Sequence, residues 1–262
     1  MSFYVLIPAR LESTRLKNKM LLDLEGLPLI VRTARQAQQS AAAQVWVATD
    51  STQIADTVRQ YGIQAVLTQD HPTGTDRLAE AAQLLQFKDQ DIIVNVQGDE
   101  PLIDPALIDQ VAAQLQNDAQ ASMATAAAPL ADGPSLFNPN IVKVVCNTKQ
   151  QALYFSRAPI PWARDAFDSY QEDTQQPAHR LTPVHARHHI GIYAYRHAFL
   201  QQFPVLPTGS LEQLESLEQL RALEHGHIIS VYLCPEPPAG GVDTLDDLRR
   251  IRRYLQQPPT EN

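Results

Sequence analysis

The sequence predicts an α/β protein built on a mainly parallel sheet covered by helices. Three observations carry that expectation. Through the first half, short apolar runs rich in β-formers alternate with stretches whose apolar residues recur every three to four positions. The 262 residues are 44% hydrophobic and 19% charged, an ordinary globular composition. That length suits one large domain, or a main domain with an appended subdomain. Finally, charged clusters follow the first and fourth apolar runs directly, where such sheets bind their ligands.

Taken in order, "FYVLIP" (3–8), "QVWVATD" (44–50), "QAVLT" (64–68) and "DIIVNVQGDE" (91–100) read as strands. Between them, 28–40, 51–62 and 74–87 carry helical spacing, which implies right-handed βαβ units. In the second half, "ASMATAAAPL" and "IVKVVCNTKQQALYFSR" read as strands, the latter turning at "NTKQQ". From Ala158 to His188 the chain is rich in Pro, Asp, Gln and His, the mark of a long surface excursion. A strand, "HIGIYAYR" (189–196), follows. "SLEQLESLEQLRALEHG" (210–226) predicts one helix, with Ser210 as N-cap, Gln213 three residues on and Gly226 as the stop. The strand "HIISVYL" and a helix from "GGVDT" to about Gln256 complete the chain; the tail "QQPPTEN" is expected to fray. No internal repeat is present.

A formal net charge of −8 and a pI near 5.4 argue against general nucleic-acid binding, which needs a basic surface. Cys146 and Cys234 are too few for a disulfide framework and lack metal-ligand spacing, so two thiols in a reducing compartment are expected. No charged-then-apolar leader precedes Phe3, and no apolar run approaches the roughly 20 residues that span a bilayer. The expectation is a cytoplasmic protein without a membrane partner.

Against that acidic background, the loop after the first strand concentrates Arg10, Arg15, Lys17 and Lys19 with Ser13 and Thr14, opposed only by Glu12. A focused site for a small anion follows. It is not a phosphate loop of the G-x-x-x-x-G-K kind, since no glycine occurs before Gly26. Phosphates would be held by guanidinium forks, a lysine, hydroxyls and backbone N–H groups near Ala9 and Arg10. The alternative is a solvated loop whose surface ion pairs are worth about 0–1 kcal/mol each. Asp99 and Glu100 in "VNVQGDEP" end a strand with no cation beside them in sequence. They suit Mg²⁺ bridging to a polyphosphate, or simply a turn. In "GGVDTLDDL", Asp243 or Thr244 could cap the last helix with Asp247 completing a capping box; locally the cap is favoured. "HPTGTDRL" puts Thr75 and Arg77 at a helix start, ready for an anion or ribose, or as a plain cap.

Considered together, these stretches carry a resemblance. "IPARLESTRL", "ATD", "GTDRLAEA", "VNVQGDEPLI", "FNPNIVKVV", "ALYFSRAPIPW", "HIGIYAYR", "LEQLESLEQLR" and "GVDTLDDL" occur in the order of the 3-deoxy-manno-octulosonate cytidylyltransferase family, from Ser2 to about Tyr254. The resemblance implies a three-layer α/β nucleotide-diphospho-sugar transferase fold, with a mixed, mostly parallel sheet and a small dimerisation subdomain. It implies a single domain over 1–257, with 1–130 and 227–257 as the nucleotide core, 131–226 as the sugar and dimerisation part, and 258–262 as frayed tail. A Mg²⁺-dependent homodimer would join CTP to the acid sugar Kdo, releasing pyrophosphate, for lipopolysaccharide assembly.

By the same resemblance, Lys19, Arg10 and Arg15 hold the triphosphate, while Asp99 and Asp243 hold Mg²⁺. Ala9, Arg10, Ser13, Thr75, Arg77 and Gln97 bind the nucleotide. Arg157 or Arg164 pairs with the sugar carboxylate, and His189, Tyr193 and Glu218 meet its hydroxyls. From the residues alone, His189 and Tyr193 read equally as strand core, and Glu218 as the solvated face of a helix. Two departures stand out: "KNKM" (17–20) replaces P-G-K-P, and "DSYQEDTQQPAHRLTPVHARH" is longer than usual. Another acid sugar, an 8-amino-Kdo analogue or sialic acid, is the alternative substrate, although sialic acid synthetases have a glycine-rich stretch where "LESTRL" stands. An idle nucleotide-binding module should lack one of these cations or aspartates, and none is missing.

Overall fold

The computed structural model describes residues 2–13, 16–130, 132–164 and 186–256. It forms two compact units: Met1–Ala113 with Ala194–Pro204 and Pro238–Asn262, and Gln114–Tyr193 with Val205–Pro237.

In the first unit, β1 (Phe3–Ala9) lies between β2 (Gln44–Thr49) and β4 (Ile92–Asn95), and β3 (Gln64–Leu67) pairs with the far side of β2. All three pairings are parallel, with Val5 opposite both Val45 and Val94. Val5, Leu6 and Ile7 are fully buried, as expected for a parallel strand covered on both faces. The intervening segments form α1 (Leu29–Ala37), α2 (Thr52–Gln60) and α3 (Gly74–Leu84). Their apolar spacing is used directly: α1 buries Leu29, Ile30, Val31, Ala34 and Ala37. Ser51 caps α2 by accepting the Ile54 N–H, and Thr73 caps α3 by accepting the Asp76 N–H.

The fourth strand is shorter than the expected 91–100 because the chain turns at Gly98. A Cβ there would stand 3.0 Å from the Pro8 carbonyl and 3.1 Å from Ile30 and Met20, so glycine permits the close approach. A further helix, α4 (Pro105–Asn117), was not anticipated from the sequence. Its signals are nonetheless present: proline at the first position and buried Leu107, Ile108, Val111 and Leu115 at helical spacing. The last helix, Leu245–Gln256, buries Leu248 and Ile251 against Leu16, Leu24, Leu29 and Val242. That cluster anchors the "GGVDT" segment beside the opening loop.

In the second unit, β5 (Ala121–Pro129) pairs in parallel with β9 (Ile228–Leu233). Its other neighbour is β8 (Arg187–Arg196), of which 187–193 belong to this unit. β6 (Lys143–Cys146) and β7 (Ala152–Ser156) form the expected antiparallel hairpin, and β6 also pairs antiparallel with β8. Asn147 closes the turn by accepting N–H bonds from Lys149 and Gln151. Pairing of β5 with β9 draws both strands into this unit, so its bounds differ from the expected division near 130 and 227. The result is a mixed, mostly parallel α/β fold.

The single helix expected over 210–226 is a correction. The chain forms two short helices, Ser210–Glu215 and Leu220–Glu224, because Ser216 turns to φ 51°, ψ 49°. Glu215 accepts from the Ser156 hydroxyl at 2.5 Å and the Arg157 N–H at 2.9 Å. The N-cap is Gly209 rather than Ser210, and the Glu224 carboxylate accepts the Leu211 and Glu212 N–H groups instead. Gly226, at φ 78°, does end the second helix. Among the described residues, no helix is long and apolar enough to cross a membrane.

Candidate active site

The site grows from the carboxyl end of β1. A cleft of about 270 Å³ opens there, and Ala9, Arg10, Ser13, Lys19, Arg77, Gln97, Asp99 and Asp243 line it. Eight residues singled out from the sequence therefore meet in one place. Arg15, also expected there, lies outside the described residues.

Lys19 is the centre of this arrangement. Asn18 precedes it in the left-handed region (φ 52°, ψ 37°), where the resembling family carries glycine; asparagine tolerates that conformation better than most side chains. Ser13 accepts the Leu16 N–H and the Leu16 carbonyl accepts the Lys19 N–H, which closes the loop. The Lys19 ammonium lies 2.6 Å from Asp99 Oδ2 and 3.2 Å from Asp243 Oδ1. The lysine side chain is 9% exposed, Asp99 25% and Asp243 50%. Asp99, without a cation beside it in sequence, thus has one in space.

Asp243 reaches this point through tight main-chain packing. The Val242 N–H donates to the Asp99 carbonyl at 2.9 Å. At Gly241 a Cβ would stand 2.8 Å from that carbonyl and 2.9 Å from Glu100 Oε1, so only glycine fits. The helix cap belongs to its neighbours. Asp247 Oδ2 accepts from the Thr244 hydroxyl and N–H and from the Asp243 N–H, while Thr244 Oγ1 accepts the Asp247 N–H. The Asp243 carboxylate points at Lys19. Glu100 has its pKa raised to about 7, first by burial and then by the charges of Asp99 and Asp243.

On the opposite wall, Thr73, Gly74 and Arg77 reach the cleft from the start of α3. Thr75 is not among the cleft-lining residues: the helix turns that side chain inward, where it is buried. Arg77 is 3% exposed and already engaged, donating to Thr68 Oγ1 at 2.8 Å and lying 3.2 Å from Asp50 Oδ2. Asp50 follows β2 directly and was missed as a site residue; a carboxylate just past a parallel strand was the available signal. His71, also on the cleft, lies 2.5 Å from Glu80 and was likewise missed.

The residues expected to meet a sugar fall in the second unit. The Arg157 guanidinium donates to the carbonyls of Glu215 (2.7 Å), Pro139 (3.0 Å) and Ser216 (3.4 Å). Beside it, fully buried Lys143 donates to the carbonyls of Asn138, Ile141 and Arg157. Arg164 is exposed. His189 is buried, 3.0 Å from Thr125 Oγ1 and edge-on to Phe155, and burial pushes its pKa down to about 3, so the ring is neutral. Tyr193 packs at 5.5 Å from that ring. Glu218 sits half-buried in the turn between the two short helices, not on a solvated helix face. Most of the long segment before β8, residues 165–185, lies outside the described residues.

Residues 4–229 match the cytidylyltransferase family. The chain belongs to that family. As a cytidylyltransferase it is a nucleotidyltransferase, and its structure resembles CMP:2-keto-3-deoxy-manno-octonic acid synthetase complexed with CTP. The two share 37% identity over 97% of this chain and 98% of that one, with a TM-score of 0.86. A cytidylyltransferase from Leptospira borgpetersenii serovar Hardjo-bovis (strain JB197) shares the fold at 17% identity and a TM-score of 0.58, over 96% of this chain and 85% of that one.

A nucleotidyltransferase must neutralise polyphosphate, which raises the question of a metal. Among the described residues, no group of three or more His, Cys, Asp or Glu side chains is placed to hold an ion. Asp99 and Asp243 nonetheless converge on one cation already, the Lys19 ammonium. Two hard carboxylate ligands from separate segments suit a hard divalent ion that takes its remaining ligands from phosphate and water.

Proposed function

We propose that this cytidylyltransferase transfers CMP from CTP to 3-deoxy-manno-octulosonate (Kdo), with release of pyrophosphate, in the cytoplasm and in the service of lipopolysaccharide assembly. The observation that carries the reading is the Lys19–Asp99–Asp243 cluster in the cleft after β1 of a chain 37% identical, nearly end to end, to a synthetase of that name complexed with CTP.

In this reaction the anomeric hydroxyl oxygen of Kdo bonds to the α-phosphorus, the bond from that phosphorus to the bridging oxygen breaks, and the hydroxyl proton leaves to solvent. Both reactants are anions, so charge must be cancelled before they approach. Lys19, Arg10 and Arg15 take up the charge that grows on departing pyrophosphate. Asp99 and Asp243 would hold Mg²⁺, which would supply charge to screen the α-phosphate and lower the pKa of the attacking hydroxyl. Ala9, Ser13, Gln97 and Arg77 bind the nucleotide, with Asp50 fixing the Arg77 guanidinium; Thr75 contributes only through the α3 terminus.

For the sugar, Arg164 is better placed than Arg157 to meet the carboxylate, since three backbone carbonyls occupy the Arg157 guanidinium. His189, being neutral, exchanges hydrogen bonds with hydroxyls rather than charge, alongside Tyr193 and Glu218. A homodimer belongs to the same reading.

The test is pyrophosphate release with Mg²⁺. CTP with Kdo should give turnover, whereas CTP alone, UTP with Kdo, and CTP with N-acetylneuraminate should not. Turnover with N-acetylneuraminate equal to that with Kdo would overturn the assignment.

A further inference from the structure

A lysine whose only task was to grip a triphosphate would reach into the cleft with its ammonium uncommitted to protein carboxylates. Lys19 instead turns its ammonium to the two carboxylates assigned to the divalent cation, at 2.6 and 3.2 Å, with its side chain 9% exposed. Two of its three N–H donors are used there. Both carboxylates it touches are the ligands a hard cation would need. The ammonium and the divalent ion therefore compete for the same ligands. Holding both at once would put like charges a few ångströms apart at a poorly solvated point.

We infer that Lys19 is the resident counter-ion of this carboxylate pair. Its ammonium holds Asp99 and Asp243 together in the nucleotide-free enzyme, and gives them up to the divalent cation only when nucleotide phosphates arrive to receive it. This rests on the reading that the pair holds the metal. The charge balance favours the exchange: two carboxylates with one ammonium carry −1, and a divalent ion added without nucleotide leaves a surplus of positive charge. About four negative charges from CTP reverse that balance. Metal and nucleotide then bind with positive coupling, which is reciprocal by linkage. The free enzyme does not tie up metal, and Lys19 is delivered to the phosphates at the step where its charge is needed.

The test uses Mn²⁺ as probe and the full-length protein without nucleotide, reading free Mn²⁺ by its paramagnetic resonance signal. Lys19→Met removes the competitor and should tighten Mn²⁺ binding by at least about tenfold, within the usual range of coupling between sites. Lys19→Arg should keep the weak binding of the wild type. Lys19→Met with Asp243→Asn should lose the gain. A folded Lys19→Met protein that binds Mn²⁺ no more tightly than wild type overturns the exchange. If Lys19→Met fails to fold, Lys19→Gln is read the same way. On wild type alone, Mn²⁺ binding as tight without CTP as with it also overturns the proposal. Absence of pyrophosphate release with Kdo, beside tightened Mn²⁺ binding, would sink the substrate assignment and leave the exchange standing.

Discussion

Asp243→Ala separates two roles that the sequence of "GGVDTLDDL" leaves entangled. Were Asp243 the cap of the last helix, its loss would cost about 1 kcal/mol, within the 0.5–2 range for such caps. In the structure the capping box is made by Thr244 and Asp247, and the Asp243 carboxylate instead lies 3.2 Å from the Lys19 ammonium. The Asp243 side chain is half exposed, so its ion pair contributes at most about 1 kcal/mol. The melting temperature should therefore move by no more than about 2 °C. Activity should fall on the order of 10²-fold or more, as when one transition-state electrostatic contact is deleted. Thr244→Ala is the counterpart: it should lower the melting temperature by about 2–4 °C and leave kcat within a few-fold. Pyrophosphate release and thermal melts on both variants decide the matter. An Asp243→Ala protein that melts early yet turns over normally would show that the carboxylate is a cap after all.

Lys19→Ala should lower kcat more than it raises the KM for CTP, because its charge is most needed as pyrophosphate departs; an unchanged kcat with raised KM would refute this. Glu100→Gln tests the buried carboxyl. With a folded pKa near 7 against 4.5 unfolded, the folded state binds the extra proton between those values, so stability falls as pH rises from about 4.5 to about 7 and then levels. The variant should melt above wild type at pH 8 and gain little at pH 4.5; equal differences at both would sink the assignment. Gly241→Ala should lower kcat at least several-fold, because its Cβ would press on the Asp99 carbonyl and push Asp243 away. Gly240→Ala, with φ 75° and its nearest outside atom at 3.8 Å, should cost stability through its backbone alone, and equal kcat losses in both would show that packing at 241 is not the cause.

The first unit is legible in the sequence because its signals are local and agree. β1, β2 and β4 are apolar runs that pair in parallel, and α1 and α2 bury the spacing they display. Where a distant partner outvotes a local signal, the sequence misleads. Residues 210–226 have helical spacing throughout, but Glu215 turns to the Ser156 hydroxyl and Arg157 N–H, and the helix breaks at Ser216. Neither partner is near in sequence, so no window on that segment contains the cause. The α4 helix is the opposite case: it went unread, although proline at its first position and regular apolar spacing are local signals within the segment itself.

The site divides along the same line. Residue types are readable, since a cationic loop on an acidic chain and carboxylates after strands suit few roles besides anion and metal binding. Their convergence is not. Lys19 meets Asp99 from 80 positions away and Asp243 from 224. What closes those separations is a set of contacts with no chemical signature of its own: the Val242 N–H on the Asp99 carbonyl, the Leu16–Val242–Leu248 cluster, and the missing side chains at Gly98 and Gly241. The tightest of them fails if a single atom is added, as at Gly241, where a Cβ would come within 2.8 Å of the Asp99 carbonyl. The charged residues therefore state which chemistry the protein can do. The glycines and leucines, which look inert in sequence, decide whether two carboxylates and an ammonium stand close enough to do it.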